Sequence, residues 1–398
     1  MTEDKINPIY EPREDSFLLQ KEVEKLAEGD CLDVGTGSGI QAHTAAQKKE
    51  VKTVTAIDIN PDAIEYASKH NNHKKIRFTV SDLFAKLSRK KFDTIIFNPP
   101  YLPGDLRIKD VALDGGTRGY ELIELFLSRA GPYLKKEGTI LILFSSLTNK
   151  EKIDEILEKN LWTSRLLASQ KIDFEELFVY SVKKSDVLKD IEKKGVTQLD
   201  YFTKGKRGLI FTGNYKGKKI SIKIQRPKSR SKDAISREVE ALQFLHKNKI
   251  DFVPKVLFYG KDHFAYEYID GITITEFAKL SNKIKIKKVV AKVMEFMYAL
   301  DSLSCTKEEM HNPYKHILIR AKKGEDRPFL IDFERCKKRD NPKNITQFCQ
   351  YITSSYFLSI VKDKDLIYER DFLMPLCKRY KNNKEENFKE IMNYIKNV

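Results

Sequence analysis

The chain has 398 residues, 41% of them hydrophobic and 33% charged, with a formal net charge of +16, and this length excludes a single small module with one compact core. Its apolar runs, such as residues 140–144, are far shorter than the roughly 20 residues of a membrane span, and its acidic start excludes a signal peptide of the usual form, so we expect a cytoplasmic protein. Five cysteines, an odd number with no close pair, indicate neither a disulfide framework nor a thiolate metal site.

Residues 1–184 alternate short β-branched runs with longer amphipathic stretches. This alternation is typical of an α/β domain with a doubly wound, Rossmann-like parallel sheet. The predicted strands cover residues 31–34, 54–58, 77–80, 94–97, 139–144 and 177–182. Near Ser185 the pattern becomes charged and polar, so we place the first domain at residues 1–184 and the second at residues 185–398.

The first predicted strand runs into a glycine-rich turn at residues 35–39, and a helical pattern follows it. Glycines allow a sharp turn and a close approach of the backbone to a ligand, and an acid at the end of the next strand, Asp58, can accept both hydroxyls of a ribose. The arrangement predicts a nucleoside-binding loop. Taken alone, it also fits a nicotinamide dinucleotide or an ordinary glycine-rich turn.

Two further segments of the sequence narrow the choice of ligand. Asp82 follows the third predicted strand, where its carboxylate would lie near an adenine amino group, and the fourth strand ends in Asn98, Pro99, Pro100 and Tyr101. Because proline has no N–H and cannot continue a strand ladder, the carbonyls of Asn98 and Pro99 are free to point into the site. With the Asn98 side-chain oxygen they can accept both hydrogens of a planar NH2 group, and Tyr101 offers a ring for stacking.

Residues 33–39 and 98–101 together resemble the class I S-adenosylmethionine-dependent methyltransferases, and residues 10–17 are similar to the archaeal and eukaryotic HemK/PrmC branch. That branch methylates the glutamine of the Gly-Gly-Gln motif in class 1 translation release factors, commonly with a small zinc-binding activator protein. The resemblance, over about residues 6–183, implies S-adenosylmethionine as cofactor and residues 98–101 as catalytic. The implied cofactor-binding residues are Glu14, Asp33, Gly35, Thr36, Gly37, Gly39, Asp58, Ile59, Asp82, Leu83 and Asn98. Asn-Pro-Pro-Tyr also marks adenine-N6 methyltransferases, so methylation of RNA or DNA is the alternative.

The positive charge is concentrated in the second domain. Residues 1–184 contain 28 Lys and Arg against 29 Asp and Glu, and residues 185–398 contain 45 against 28. A neutral half joined to a strongly basic half predicts that the second half lies near polyanions such as ribosomal or transfer RNA. The alternative is a lysine-rich solvated surface without a partner.

The second half predicts a small sheet lobe followed by a helical lobe, and therefore an α+β domain. Hairpin strands are predicted at residues 209–212 and 220–224, and after residue 271 the pattern is mostly helical apart from a loop and strand within residues 311–332. Lys223, in the middle of the second hairpin strand, needs a polar partner. Glu238 is the expected partner, with Glu240 as the competing choice.

These features resemble the two-lobed protein-kinase-like fold, closest to the compact RIO and KEOPS-complex kinases, over about residues 195–380. The resemblance implies an ATP site in which Asp332 binds magnesium. The implied ATP-binding residues are Gly205, Gly208, Lys223, Glu238, Glu267 and Asp332.

The catalytic loop departs from that family. His311 takes the position of the family's catalytic Asp, His316 takes that of its Asn, and Asp332 is followed by Phe-Glu instead of Phe-Gly. Because histidine titrates near neutrality, His311 can accept a proton and His316 can ligate a metal. A loop that only binds nucleotide, or a scaffold without ATP, fits the same residues.

Overall fold

A computed structural model describes residues 9–88, 90–102, 117–205, 208–226, 233–322 and 324–398. The chain forms two compact units, Met1–Lys194 and Gly195–Val398. The division falls after residue 194, whereas the sequence places the boundary near Ser185. The helix between these two positions, Asp186–Lys193, belongs to the first unit because its Glu192 makes an ion pair with the buried Lys184 at 2.7 Å. Within the described residues, no helix has the length and apolar composition to cross a bilayer.

The first unit is a seven-stranded sheet with flanking helices. Its strands are β1 (Gly29–Val34), β2 (Val51–Asp58), β3 (Ile76–Val80), β4 (Phe92–Phe97), β5 (Leu134–Ser145), β6 (Trp162–Ile172) and β7 (Glu175–Lys184). Its helices are α1 (Glu14–Leu26), α2 (Ile40–Gln47), α3 (Pro61–His70), α4 (Glu121–Ala130), α5 (Lys150–Lys159) and α6 (Asp186–Lys193), with short 3-10 turns at Gly131–Tyr133 and Ser146–Thr148.

The strand order is β3-β2-β1-β4-β5-β7-β6, and the first five strands run parallel. The expectation of a wholly parallel sheet is wrong for residues 177–182, because β7 is antiparallel to both β5 and β6. Only two residues separate β6 from β7, and a parallel pair would need a crossover of a dozen residues or more. The sequence analysis also missed β6, whose residues are mostly exposed.

The strand order reverses between β1 and β4, and this reversal positions the site. Val34 at the end of β1 is paired with Phe97 at the end of β4. The loops that begin at Gly35 and Asn98 therefore leave the same sheet edge side by side. In open α/β sheets, ligands bind in the crevice at such a switch point.

The second unit combines an antiparallel sheet with a largely helical C-terminal part. Its strands are β8 (Thr197–Lys204), β9 (Gly208–Tyr215), β10 (Lys218–Gln225), β11 (Val256–Tyr259), β12 (His263–Glu267), β13 (Ile272–Thr273), β14 (Cys305–Thr306), β15 (Ile317–Lys322), β16 (Glu325–Leu330) and β17 (Lys337–Lys338). Its helices are α7 (Ala234–Lys247), α8 (Ile274–Leu280), α9 (Lys283–Ser302), α10 (Asn344–Ile352), α11 (Ser355–Val361), α12 (Arg370–Tyr380) and α13 (Lys384–Asn397), with a 3-10 turn at Lys362–Lys364. The main sheet has the order β11-β12-β10-β9-β8. Helix α9 supplies nine residues to the hydrophobic core of this unit.

One cysteine pair contradicts the expectation from the sequence. Cys305 and Cys336 form a disulfide, although they lie 31 residues apart. They meet because β14 pairs with β17, which begins directly after Cys336. Spacing along the chain gives no sign of this pairing. The other three cysteines are free and buried.

Candidate functional site

The loop after β1 is held in shape by a buried carboxylate. Asp33 Oδ2 accepts hydrogen bonds from the Thr36 hydroxyl at 2.6 Å and from the Ala42 backbone N–H at 3.1 Å. Burial raises the pKa of Asp33 to about 7. Gly35 and Gly37 have φ angles of +63° and +52°, which side chains rarely tolerate. Asp33 thus fixes a loop whose conformation requires glycine.

Asp58, at the end of β2, closes this loop. Its Oδ2 accepts a hydrogen bond from the Gly37 backbone N–H at 2.9 Å, and its Oδ1 accepts one from the Asn60 N–H at 2.9 Å. Each carboxylate oxygen keeps a further lone pair. Asp58 can therefore hold the loop and still accept the hydroxyls of a ribose.

Most of the predicted cofactor residues line one cavity of about 310 Å³. Those in its lining are Asp33, Gly35, Thr36, Gly37, Asp58, Ile59, Asp82, Leu83 and Asn98, and the other predicted catalytic residues, Pro99, Pro100 and Tyr101, line it too. Glu14 is not among them, because it is exposed at the start of α1 while its neighbour Asp15 is buried and lines the cavity. Gly39 is not among them either; it packs on α3, where a Cβ would lie 2.9 Å from the Ala67 Cβ.

The side-chain amide of Asn98 is oriented by Asp15. The Asn98 Nδ2 donates a hydrogen bond to Asp15 Oδ2 at 2.8 Å, and the Tyr10 hydroxyl donates one to Asp15 Oδ1 at 3.0 Å. The Asn98 Oδ1 is buried and has no hydrogen-bond partner among the described residues. Burial raises the pKa of Tyr101 above its ordinary value, so its hydroxyl stays protonated. A buried, unpaired acceptor that lines a cavity fits an N–H donor on a ligand.

Sequence reasoning missed Asp15 and Tyr10, although it singled out the segment that contains them. A signal was available in the helical pattern. Asp15 precedes Leu18 and Leu19 by three and four residues, so it belongs to the buried face of α1. A carboxylate on an apolar helix face needs a polar partner, and Asn98 is that partner.

The donor and acceptor set of this cavity fits S-adenosylmethionine. The glycine loop leaves space for close approach, Asp58 has free lone pairs for a ribose, and Asp82 lies in the lining where an amino group could be bound. The unpaired Asn98 Oδ1 is not needed by any of these groups. It remains available to a second molecule that carries an N–H donor.

In the second unit, Lys223 on β10 is surrounded by three carboxylates. Its Nζ lies 2.7 Å from Glu238 on α7, 3.0 Å from Asp332 and 3.4 Å from Glu334. Burial opposes the charge of Lys223, but the carboxylates outweigh it and raise the pKa of this lysine. Glu240 is exposed, so the structure selects Glu238 from the two candidates.

A histidine and a second lysine lie next to Asp332. His316 Nδ1 is 3.7 Å from Asp332 Oδ2, and burial lowers the pKa of His316 to about 4, so its ring is neutral at neutral pH. Lys307 is buried and donates to the Asp332 carbonyl at 2.5 Å; burial lowers the pKa of Lys307 to about 8. Burial also opposes the charge of Asp332, but Lys223 and Lys307 lower its pKa to about 2. Sequence reasoning missed Lys307, which no pattern in its segment marks.

Other residues predicted for this site have different surroundings. His311 is exposed and lines a separate cavity of about 440 Å³ with Tyr314 and Tyr351, and no described contact joins it to Asp332. The Glu267 carboxylate accepts a hydrogen bond from Arg320 at 3.1 Å. The backbone N–H of Gly205 donates to the Gly208 carbonyl at 2.8 Å. Residues 206 and 207, between them, lie outside the described part of the chain.

Comparison with known proteins gives matches for the first unit. The family described as "Methyltransferase small domain" matches residues 14–172. A Methanocaldococcus jannaschii protein named "Putative protein N5-glutamine methyltransferase" is 39% identical over 183 residues, which are 44% of this chain and 92% of that protein.

Bacterial relatives match over a smaller part of their length. A release factor glutamine methyltransferase of Koribacter versatilis is 35% identical over 127 residues, which are 28% of this chain and 45% of that protein. The chain thus spans less than half of that relative. Among solved structures, the E. cuniculi Mtq2-Trm112 complex, described as methylating the eRF1 termination factor, matches at 26% identity with a TM-score of 0.38, over 45% of this chain and 99% of that chain.

Proposed function

Because the chain belongs, through its first unit, to the family of S-adenosylmethionine-dependent protein-glutamine methyltransferases, we propose that it methylates the glutamine side-chain amide of the Gly-Gly-Gln motif in a class 1 translation release factor. One observation carries this proposal. The Asn98 Oδ1 is a buried acceptor without a partner among the described residues, and it lines the cavity that contains the glycine loop. A primary amide supplies the N–H that this oxygen lacks.

The residues of the cavity divide the work of methyl transfer. Gly35, Gly37, Asp58 and Asp82 would hold S-adenosylmethionine, which when bound supplies a sulfonium methyl group as the electrophile. An amide nitrogen is a poor nucleophile because its lone pair is delocalised, so it must be oriented and kept from competing water.

The residues that follow β4 would orient the substrate amide. The Asn98 Oδ1 and the Pro99 carbonyl would accept the two hydrogens of the substrate NH2 group, and the Tyr101 ring would stack on its plane. As the nitrogen–methyl bond forms and the carbon–sulfur bond breaks, positive charge develops on nitrogen, and both acceptors stabilise it more strongly than in the ground state. One N–H proton then leaves to water.

The experiment compares two methyl acceptors. Purified protein with radiolabelled S-adenosylmethionine should label a release factor, and should not label the same factor with the motif glutamine changed to alanine. Asn98→Ala should lower turnover on the order of 100-fold or more, whereas Asn160→Ala, which removes an amide at the end of α5 outside the cavity lining, should not. Labelled RNA with an unlabelled release factor would instead establish the adenine-N6 alternative.

A small zinc-binding activator is part of this proposal, since the HemK/PrmC branch that the first unit resembles commonly uses one. Activity should rise when such a protein is co-expressed and purified with the chain. Full activity of the purified chain alone would mean that no activator is needed.

For the second unit we propose binding of ATP with magnesium in a kinase-like site. The supporting observation is the contact of Lys223 with both Glu238 and Asp332, an arrangement that positions nucleotide phosphates and metal in kinases. A fluorescent ATP analogue with magnesium should bind the protein, and Lys223→Met should abolish binding. Lys218→Met, an exposed lysine of the same strand, should leave it unchanged. If no nucleotide binds, the second unit acts as a scaffold without ATP. Transfer of phosphate to protein would be measured separately in the same preparation.

We also propose that the basic second unit brings the enzyme to RNA or the ribosome. Residues 195–398 contain 42 Lys and Arg against 25 Asp and Glu, and this excess of positive charge supports the proposal. Binding to ribosomal RNA should weaken steeply with salt, and binding that does not change between low and high salt would argue against it.

A further inference from the structure

Tyr10, Asp15 and Asn98 form one hydrogen-bonded chain that ends in the cavity. Asp15 is 4% exposed and accepts from the Tyr10 hydroxyl at 3.0 Å, from the Ser16 hydroxyl at 3.3 Å and from the Asn98 Nδ2 at 2.8 Å. Tyr10, Asp15, Ser16 and Asn98 all occur in segments that line or adjoin the same cavity. The hydrogen bond between Asp15 and Asn98 joins α1 to the loop after β4, although the two residues lie 83 positions apart in the sequence.

An asparagine side chain has two orientations of nearly equal shape, and only its hydrogen-bond partners distinguish them. An ionised carboxylate accepts hydrogen bonds and cannot donate them. With the Asn98 amide turned over, its oxygen would face an Asp15 oxygen across 2.8 Å, and two acceptors would oppose each other. Asp15 therefore favours one orientation of the Asn98 amide, in which Nδ2 donates to the carboxylate and Oδ1 faces the cavity.

Tyr10 holds the other oxygen of Asp15. Burial, and then the negative charge of Asp15, raises the pKa of Tyr10 above its ordinary value. The tyrosine hydroxyl consequently remains a donor at any physiological pH and keeps the carboxylate turned toward Asn98.

We propose that Asp15 is a positioning residue that sets the orientation of the Asn98 amide, so that the site presents an acceptor to the substrate and selects substrates with an N–H donor. This inference rests on the proposed methylation of an amide. It assigns to Asp15 no contact with the reacting atoms, only control of the acceptor that touches them.

The first test separates orientation from folding and from cofactor binding. In Asp15→Asn, Tyr10 donates to the oxygen of the new amide, so that the new Nδ2 faces Asn98 and donates to it. Asn98 then turns its own oxygen toward position 15 and away from the cavity. We expect kcat with a release factor to fall on the order of 10- to 100-fold, with S-adenosylhomocysteine affinity and unfolding temperature close to wild type. Asp154→Asn, the same change at an exposed position of α5, should have no effect.

The double variant D15N/N98D reverses the polarity of the pair. The amide at position 15 would donate to one oxygen of the new carboxylate, and the other oxygen would be an acceptor in either orientation. We expect kcat to rise at least several-fold above that of Asp15→Asn alone. A purely structural role for Asp15 would instead change cofactor affinity and unfolding temperature together with kcat.

The second test does not depend on methylation. In protein labelled with 15N at asparagine, the Asn98 carboxamide, identified by its loss in Asn98→Ala, should exchange slowly with solvent and should shift in Asp15→Asn. An unchanged resonance, or wild-type kcat in Asp15→Asn, would overturn the inference. If the resonance shifts but the wild-type protein methylates no glutamine, the proposed function fails while the orientation of Asn98 by Asp15 stands.

Discussion

The buried ion pair between Lys184 and Glu192 gives the sharpest prediction on stability. Lys184 is fully buried at the end of β7, and its Nζ lies 2.8 and 2.7 Å from the two oxygens of Glu192 on α6. Glu192→Gln removes the charge that compensates the buried ammonium. Such a loss costs about 3–5 kcal/mol when both partners are buried. Glu192 is 32% exposed, so water screens part of the interaction and we expect about 2 kcal/mol.

The chain itself provides the assay. Its one tryptophan, Trp162, is buried in the first unit and is paired with Lys184 in the sheet register. Urea unfolding followed by Trp162 fluorescence therefore reports this unit. With a urea slope of about 2 kcal/mol/M, the midpoint should fall by about 1 M in Glu192→Gln. Glu137→Gln, which breaks an exposed ion pair with Lys189, should leave the midpoint unchanged.

The pH dependence gives the result that would refute the reasoning. Burial lowers the pKa of Lys184 below its ordinary value even with Glu192 present. Between the lowered pKa and about 10.5 the unfolded chain binds more protons, so stability rises with pH there. Without Glu192 the pKa falls further, and the deficit of the variant should shrink from pH 7 to pH 10. A deficit that is constant with pH, or that persists when Lys184→Met is added, would contradict an electrostatic origin.

Three further predictions concern other parts of the chain. The pKa of Asp33 in the folded state, about 7, lies above the ordinary 3.8, so its contribution to stability falls as pH rises from about 4 to 7; Asp33→Asn should remove that fall in urea midpoints followed by fluorescence. Gly39→Ala should destabilise the first unit by about 1–2 kcal/mol in the same assay, because Gly39 has φ +87° and its Cβ would lie 2.9 Å from the Ala67 Cβ. Thiol titration of the denatured, unreduced protein should find the three free cysteines, and reduction of the bond between Cys305 and Cys336 should lower the unfolding temperature of the second unit; five reactive thiols before reduction would contradict the disulfide.

The first unit could be predicted well where local pattern and global fold agree. The predicted strands that correspond to β1–β5 are short β-branched or apolar runs, most of them separated by helical patterns. The chemistry of residues 35–39 and 98–101 depends on backbone properties of glycine and proline that are visible in the sequence. The exposed edge strand β6 was missed because its side chains carry no buried-strand pattern. The prediction of a parallel direction for β7 is wrong, because the two-residue connection from β6 forces an antiparallel pair.

Contacts between residues that lie far apart in the sequence were the hardest to predict. The sequence predicts Glu14 as a cofactor residue, whereas its neighbour Asp15 lines the cavity; only the docked helix shows which of these two acids is buried. The contact of Lys223 with Glu238 could be proposed, since an isolated lysine in a buried strand demands a carboxylate. Neither Lys307 nor the bond of Cys305 with Cys336 could be proposed, since each depends on segments that meet only in the folded second unit.

Because Asp15 accepts a hydrogen bond from Asn98 and, among the described residues, none from the glycine loop, cofactor binding and turnover in the first unit depend on different residues. The glycine loop and Asp58 belong to β1, β2 and the turns after them, whereas Tyr10 precedes α1 and Asp15 lies in the first turn of that helix. A protease cut before Ser16 would spare Leu18, Leu19 and Val23, which anchor that helix in the core. The shortened protein would keep the glycine loop and Asp58 but lose the carboxylate that orients Asn98, so its turnover should fall more than its affinity for S-adenosylhomocysteine.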